Sequence, residues 1–277
     1  MEIKRYKIGR AELELKLPFH IDNTFPFSQF IVDGVSARAY KYEYSFVGEF
    51  AVDDGKLLYE LADRLVYACG DDVVTYYKKY DGNGFFARRT DYAGENCGKV
   101  EYSEEYKPKL WDKSLLDTVG FERIAQRERM LIMHASFIVA HGAAVLFTAP
   151  RQTGKSTQAR LWEQFGGAQT VNGDKALVYA EDDMIYASSL PYCGSSAICR
   201  NTAAELKAII RLWQGDNKIE RLDFSSAVRE ILKGCYLPFG AQEILDTAAT
   251  VAQSVPVYSF ECTPDERAVK VLENTLW

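Results

Sequence analysis

The stretch that most constrains this chain is Leu146-Phe147-Thr148-Ala149-Pro150-Arg151-Gln152-Thr153-Gly154-Lys155-Ser156-Thr157. It reads as an apolar strand, a short loop closing on Gly-Lys-Ser, and a helix over 155–165. That helix has Ala159, Leu161, Trp162 and Phe165 for a packed side and Gly166-Gly167 as its stop. The first N–H groups of such a helix have no partner within the helix, and its dipole adds positive charge at the same end. A strand that turns directly into a helix start therefore builds a cradle for an anion. In that cradle Gly154 lets the backbone approach without a Cβ. Lys155 would reach β- and γ-phosphate oxygens, and Ser156 would present its hydroxyl to Mg²⁺. Two positions depart from the common pattern. Ala149 stands where a first glycine is usual, and Pro150 removes one N–H donor.

The strand entering the loop has a partner before it. Ala135–Ala140 and Ala143–Thr148 are apolar runs separated by His141-Gly142, the pattern of a two-residue hairpin. Further strands are expected at 169–172, 176–180, 184–187, 206–212 and 255–260. Helices are expected at 225–233, 240–253 and 264–276, the last with Thr263 as cap, Pro264 in its first turn and Glu266 completing a capping box. Helical spacing also runs from Leu115 to Met133, and Asp182-Asp183 marks a hairpin tip. Alternating elements of this kind argue an α/β fold.

Before residue 110 the chain changes character. Twelve of the 17 tyrosines lie in residues 1–106. Ala11–Leu17 and Tyr40–Tyr44 alternate with period two, and Asp33-Gly34, Asp53-Asp54-Gly55, Gly70-Asp71-Asp72 and Asp81-Gly82-Asn83-Gly84 supply turns. The expected organisation is a β-rich N-terminal domain over 1–110 and an α/β domain over 111–277. Neither part is a charged arm: 16 Lys and Arg face 19 Asp and Glu before residue 111, and 17 face 20 after it. A net charge of −6 gives no pull toward nucleic acid. No apolar run is long enough to span a bilayer, no signal segment opens the chain, and the six cysteines form no C-x-x-C pair. The expectation is a cytoplasmic protein with reduced thiols and no membrane partner.

Taken together, His134, Gly142 eight residues on, the apolar strand, the loop ending Gly154-Lys155-Ser156, Asn172-Gly173-Asp174, Pro191–Ser196 and Val255–Tyr258 resemble the HPr kinase/phosphorylase group. The resemblance covers about 115–277 and is nearer to a bacterial branch often linked to peptide modification. It implies a P-loop nucleotide-binding domain of the HPr kinase/phosphoenolpyruvate carboxykinase type. It also implies ATP or GTP with Mg²⁺, and γ-phosphoryl transfer to a hydroxyl of a peptide, protein or small molecule. By the same resemblance Pro150, Arg151, Gln152, Thr153, Gly154, Lys155, Ser156 and Thr157 hold the triphosphate. Asp174 is the catalytic carboxylate or a Mg²⁺ ligand beside Ser156, His134 stands near it, and a homo-oligomer is allowed. Where the family has two adjacent acids, this chain has Asp174 between Gly173 and Lys175, so base and metal ligand are not assigned separately. The alternative is a nucleotide-binding regulatory module with slow hydrolysis or none. Carboxykinase chemistry is a weaker third, because the further ligands it needs are not found. Arg200, Lys207 and Arg211 are secondary candidates for neutralising phosphoryl charge. His20, His141, Cys193 and Cys199 read as structural.

Overall fold

The computed structural model describes every residue except 53, 54, 151 and 237–240. The expected turn at Asp53-Asp54, the loop residue Arg151 and the start of the helix expected from 240 lie outside the described residues. The chain is mixed α/β with two sheets. It divides into two compact units, one of Met1–Lys7 and Ala11–Phe121, the other of Ile8–Arg10 and Glu122–Trp277.

Among its described residues the first unit has an eight-stranded sheet and one α-helix, with short 3-10 turns at Phe27–Phe30 and Glu104–Lys109. Its strands are β1 (Glu2–Ile8), β2 (Ala11–Leu17), β3 (Tyr40–Val47), β4 (Lys56–Glu60), β5 (Arg64–Cys69), β6 (Asp72–Lys78), β7 (Phe85–Asp91) and β8 (Cys97–Ser103), and the helix is α1 (Asp112–Val119). The strand order is β1-β2-β3-β8-β7-β6-β5-β4. β4 to β8 form an antiparallel meander, while β3 runs parallel to both β2 and β8. The period-two patterns place Leu13, Leu15, Tyr40, Tyr42 and Tyr44 inside. The abundance of tyrosine has a physical reason. Each ring fills core volume, and its hydroxyl still needs an acceptor. Tyr44, Tyr77 and Tyr102 donate to the α1 carbonyls of Leu115, Thr118 and Ser114 at 2.8, 2.9 and 2.8 Å. Buried Arg89 binds Asp91 at 3.1 Å and the Tyr77 hydroxyl at 2.9 Å, and Tyr42 donates to Asp91 at 2.7 Å. Gly120, left-handed at φ 66°, ends α1 directly over the Arg89 guanidinium.

The helix expected from Leu115 to Met133 is interrupted twice. It stops at Gly120, resumes as α2 (Phe121–Arg127), and gives way to a strand beginning at Leu131. The apolar run Leu131-Ile132-Met133 suits either period, and pairing with Val178, Leu177 and Ala176 decides for strand.

The second unit contains β9 (Leu131–Ala140), β10 (Ala143–Thr148), α3 (Lys155–Phe165), β11 (Gln169–Asn172), β12 (Lys175–Glu181), β13 (Met184–Ser188), β14 (Ala203–Gln214), β15 (Lys218–Arg221), α4 (Phe224–Gly234), α5 (Ala241–Ser254), β16 (Val257–Cys262) and α6 (Glu266–Leu276). Strand order is β10-β9-β12-β13-β14-β16-β15, with β11 on β9 and β10 also paired with β14. The β9–β10 and β12–β13 hairpins turn through His141-Gly142 and Asp182-Asp183. All four residues have positive φ, as a two-residue turn matching strand twist requires. Alternate residues divide the core. Ile138, Val145, Phe147, Ile210, Leu212 and Phe260 pack with α3 and α6, while Phe137, Leu146, Ile209 and Val257 pack with α4 and α5. The unit is thus three layers, helices on both faces of a sheet. β10, β14 and β16 are parallel neighbours, so their C-terminal ends share one edge.

Candidate functional site

The loop after β10 leaves the sheet at that shared edge. Gln152 has φ 64°, and Gly154 takes φ 109° and ψ 12° immediately before α3. Having no side chain, Gly154 caps none of the first helical amides. The first helical hydrogen bond runs from Gln158 N to Gly154 O at 2.8 Å. Lys155 is largely buried, and its Nζ donates back to Ala149 O at 2.8 Å and Pro150 O at 3.3 Å. Ser156 is exposed, and Thr157 is half-buried.

A cavity of about 560 Å³ lies over this helix start. Residues 152–158 form one wall. Gln214 and Gly215, at the end of β14, and Cys262, Thr263 and Pro264, at and just beyond the end of β16, form the other. Crevices at the C-terminal ends of parallel strands are where α/β sheets bind ligands. Among the described lining residues Lys155 alone carries a charge, so the wall offers a cation and amides to a guest and no carboxylate. The second wall is tied down. Gln158 Nε2 donates to Thr263 O at 3.3 Å, and Asn217 both accepts from Thr263 N at 3.0 Å and donates to Thr263 Oγ1 at 2.7 Å. Thr263 is therefore part of this wall and not the cap of α6, as its place before Pro264 suggests. Asp265 is the cap, accepting from Arg267 N at 2.9 Å. None of this second wall is marked by a motif, since parallel pairing of strands distant in sequence assembles it.

Asp174 stands on the other flank of the loop, toward β9 and β12. β11 and β12 together edge β9, but Gly173-Asp174 interrupts them. Across the break Ala135 N donates to Asp174 O at 3.0 Å, and Ser136 Oγ donates to Gly173 O at 3.1 Å. His134 Nε2 comes to 3.4 Å from Asp174 Oδ1, both side chains partly exposed. The hydrogen bond from His134 is the chief reason the Asp174 carboxyl lies below its usual range. Partial burial opposes it, and the positive charges of His134, Lys175 and Lys155 assist. Asp174 and His134 thus come together, while neither lines the cavity. Behind them Asn172 is fully buried, and Gly194 lies against the Asp174 carboxylate. Asn172 stands out in the sequence only as the first residue of Asn-Gly-Asp.

The remaining candidates are engaged elsewhere. His141 makes its turn and meets Glu273 at 2.9 Å. Arg200 binds the Thr170 carbonyl, Lys207 lies 5.9 Å from the Trp277 ring, and Arg211 stacks on Trp213 at 4.9 Å beside Glu230. Burial raises the Cys193 and Cys199 thiols, which therefore stay protonated at neutral pH. Among the described residues no group of three or more His, Cys, Asp or Glu is placed to hold a metal ion, and no helix is long and apolar enough to cross a membrane.

No family model matches the sequence, and no curated protein matches it. Among solved structures the chain is similar to the Hpr(Ser) kinase/phosphatase from Coxiella burnetii, at 18% identity and a TM-score of 0.31, over 52% of this chain and 87% of that one. A likeness at this level bears on neither substrate nor activity.

Proposed function

We propose that this chain is a nucleotide-dependent phosphotransferase, using ATP or GTP with Mg²⁺ to phosphorylate a hydroxyl. The observation that carries the reading is a glycine-started helix facing a cavity whose described lining holds one cation, Lys155, and no acid. A polyphosphate suits that lining, with amides at its oxygens and Lys155 offsetting charge. Among the described residues a methyl on Gly154 would meet no atom within 4 Å, which leaves room for a phosphate against the backbone. Pro150, Gln152, Thr153, Ser156 and Thr157 complete the loop, and Arg151 belongs to it by sequence. Within the lining the Ser156 hydroxyl, with phosphate oxygens, would hold Mg²⁺, which when bound neutralises charge on the transferring group; Asp174, outside the lining, is left for the acceptor. Asp174, ionised at neutral pH, orients the acceptor hydroxyl and takes its proton as the oxygen attacks the γ-phosphorus and the nucleoside diphosphate leaves. His134 Nε2 stands 3.4 Å from that carboxylate and steadies it.

The acceptor is a peptide, a protein or a small hydroxylated molecule, and the N-terminal β unit is its selector. Labelled nucleotide with candidate acceptors tests this. Lys155→Ala should abolish binding and transfer, whereas Asp174→Asn should keep binding and lose transfer. Tight binding with no transfer to any acceptor would instead support a regulatory nucleotide-binding module. That second reading is favoured by the lone acid, which stands outside the cavity lining.

A further inference from the structure

A single carboxylate can serve the proposed transfer only if it is held still, and its own strand does not hold it. The pairing of β11 and β12 with β9 is broken at Gly173-Asp174. The residue that bridges the break is Asn172. Its Oδ1 accepts from Asp174 N and Lys175 N, both at 3.0 Å. Its Nδ2 donates to Ser189 Oγ, Leu190 O and Tyr192 O at 3.1, 3.1 and 3.2 Å. Two amide hydrogens face one end of the side chain and two carbonyls face the other, so its orientation is fixed by its partners. The backbone adds Arg200 N to Val171 O at 2.8 Å. The two tethered segments, 172–175 and 189–194, bring Gly194 against Asp174. A Cβ there would stand 2.8 Å from the Asp174 Cγ.

We infer that Asn172 is the positioning residue of this site, fixing the Asp174 carboxylate between His134 and Gly194 by joining the 172–175 turn to the 189–194 segment. The inference rests on the phosphotransferase reading for its kinetic consequence, while its geometry stands alone. Asn172→Asp separates chemistry from shape. It keeps both acceptor contacts and the volume, but turns an oxygen toward the carbonyls of Leu190 and Tyr192, where no unprotonated carboxylate can donate. Gly194→Ala presses on Asp174 from the opposite side, on an exposed loop.

The test measures kcat for transfer and the affinity for magnesium nucleotide in Asn172→Asp and in Gly194→Ala. A displacement of about 1 Å at a reacting group costs up to about 100-fold, so kcat should fall about 10- to 100-fold with nucleotide affinity unchanged. In an Asp174→Asn background the same substitutions should leave the residual rate unchanged, because they act through that carboxylate. A folded Asn172→Asp protein with wild-type kcat overturns the inference, as does an equal loss in the Asp174→Asn background. Should Asn172→Asp fail to fold, Gly194→Ala decides by the same outcomes. If the wild-type protein transfers no phosphoryl group, the phosphotransferase reading fails. A crystal structure of either variant then decides the positional claim, and an Asp174 carboxylate still 3.4 Å from His134 would refute it.

Discussion

Gly154→Ala separates the two things this glycine does. At φ 109° it lies outside the left-handed well that other residues visit. An added Cβ meets no atom of the described residues within 4 Å, so the folded-state cost is backbone strain and not a clash. Strain of this kind amounts to about 1–3 kcal/mol. For a chain of this size each kcal/mol lowers Tm by about 2–4 °C. The second effect is at the cavity. On the proposed reading the methyl points where a phosphate would approach the first helical amides, and losing one amide bond to a charged oxygen costs about 1.5–3 kcal/mol. That corresponds to about 10- to 100-fold in Kd. Thermal melts of the free protein read the first effect, and calorimetric titration with magnesium ATP and magnesium GTP, well below Tm, reads the second. An alanine variant that melts lower yet binds nucleotide as tightly as the wild type would refute the idea that backbone amides at this helix start grip the ligand.

Two other outcomes follow from ionised groups. Because the His134 contact sets the folded-state value of Asp174 below its unfolded value of about 3.9, the pair contributes stability above that pH. The contribution is lost as pH falls through the lower folded value. The urea midpoint difference between wild type and Asp174→Asn should therefore shrink in acid, and a difference that stays flat down to about pH 3 would contradict this assignment. In the first unit, a Cβ on Gly120 would stand 1.5 Å from Arg89 Nη1. Gly120→Ala should separate the buried Arg89–Asp91 pair and cost about 3–5 kcal/mol in urea unfolding. A loss no larger than the φ strain alone, about 1–2 kcal/mol, would mean that the guanidinium simply moves aside.

Local patterns were legible where one element decides its own conformation. The strand over 143–148, the turn His141-Gly142 and the helix over 155–165 coincide with β10, its hairpin and α3. What depends on partners distant in the chain was not legible. Leu131–Met133 became strand because β12 pairs with it. β15 was missed because four mostly exposed residues, Lys218–Arg221, show no periodicity and become a strand only by lying beside β16. Thr263 precedes a proline and an acid as a cap would, yet Asn217 claims its hydroxyl. In the candidate site, the Gly-Lys-Ser helix start is a local motif, whereas Gln214, Gly215 and Cys262 reach the cavity through the parallel pairing of β14 and β16. The bridging role of Asn172 is not legible for the same reason, since its bonding partners lie on a segment that returns after another hairpin.

The division of the cavity between an early and a late stretch of chain also orders events during biosynthesis. The β9–β10 hairpin and the amide-rich turn after it leave the ribosome well before Cys262, Thr263 and Pro264. Until β16 adds to β14, a nascent chain has one jaw of its clamp and no opposing jaw. On the proposed reading, nucleotide capture would therefore be a late checkpoint, reporting that the last strand has docked.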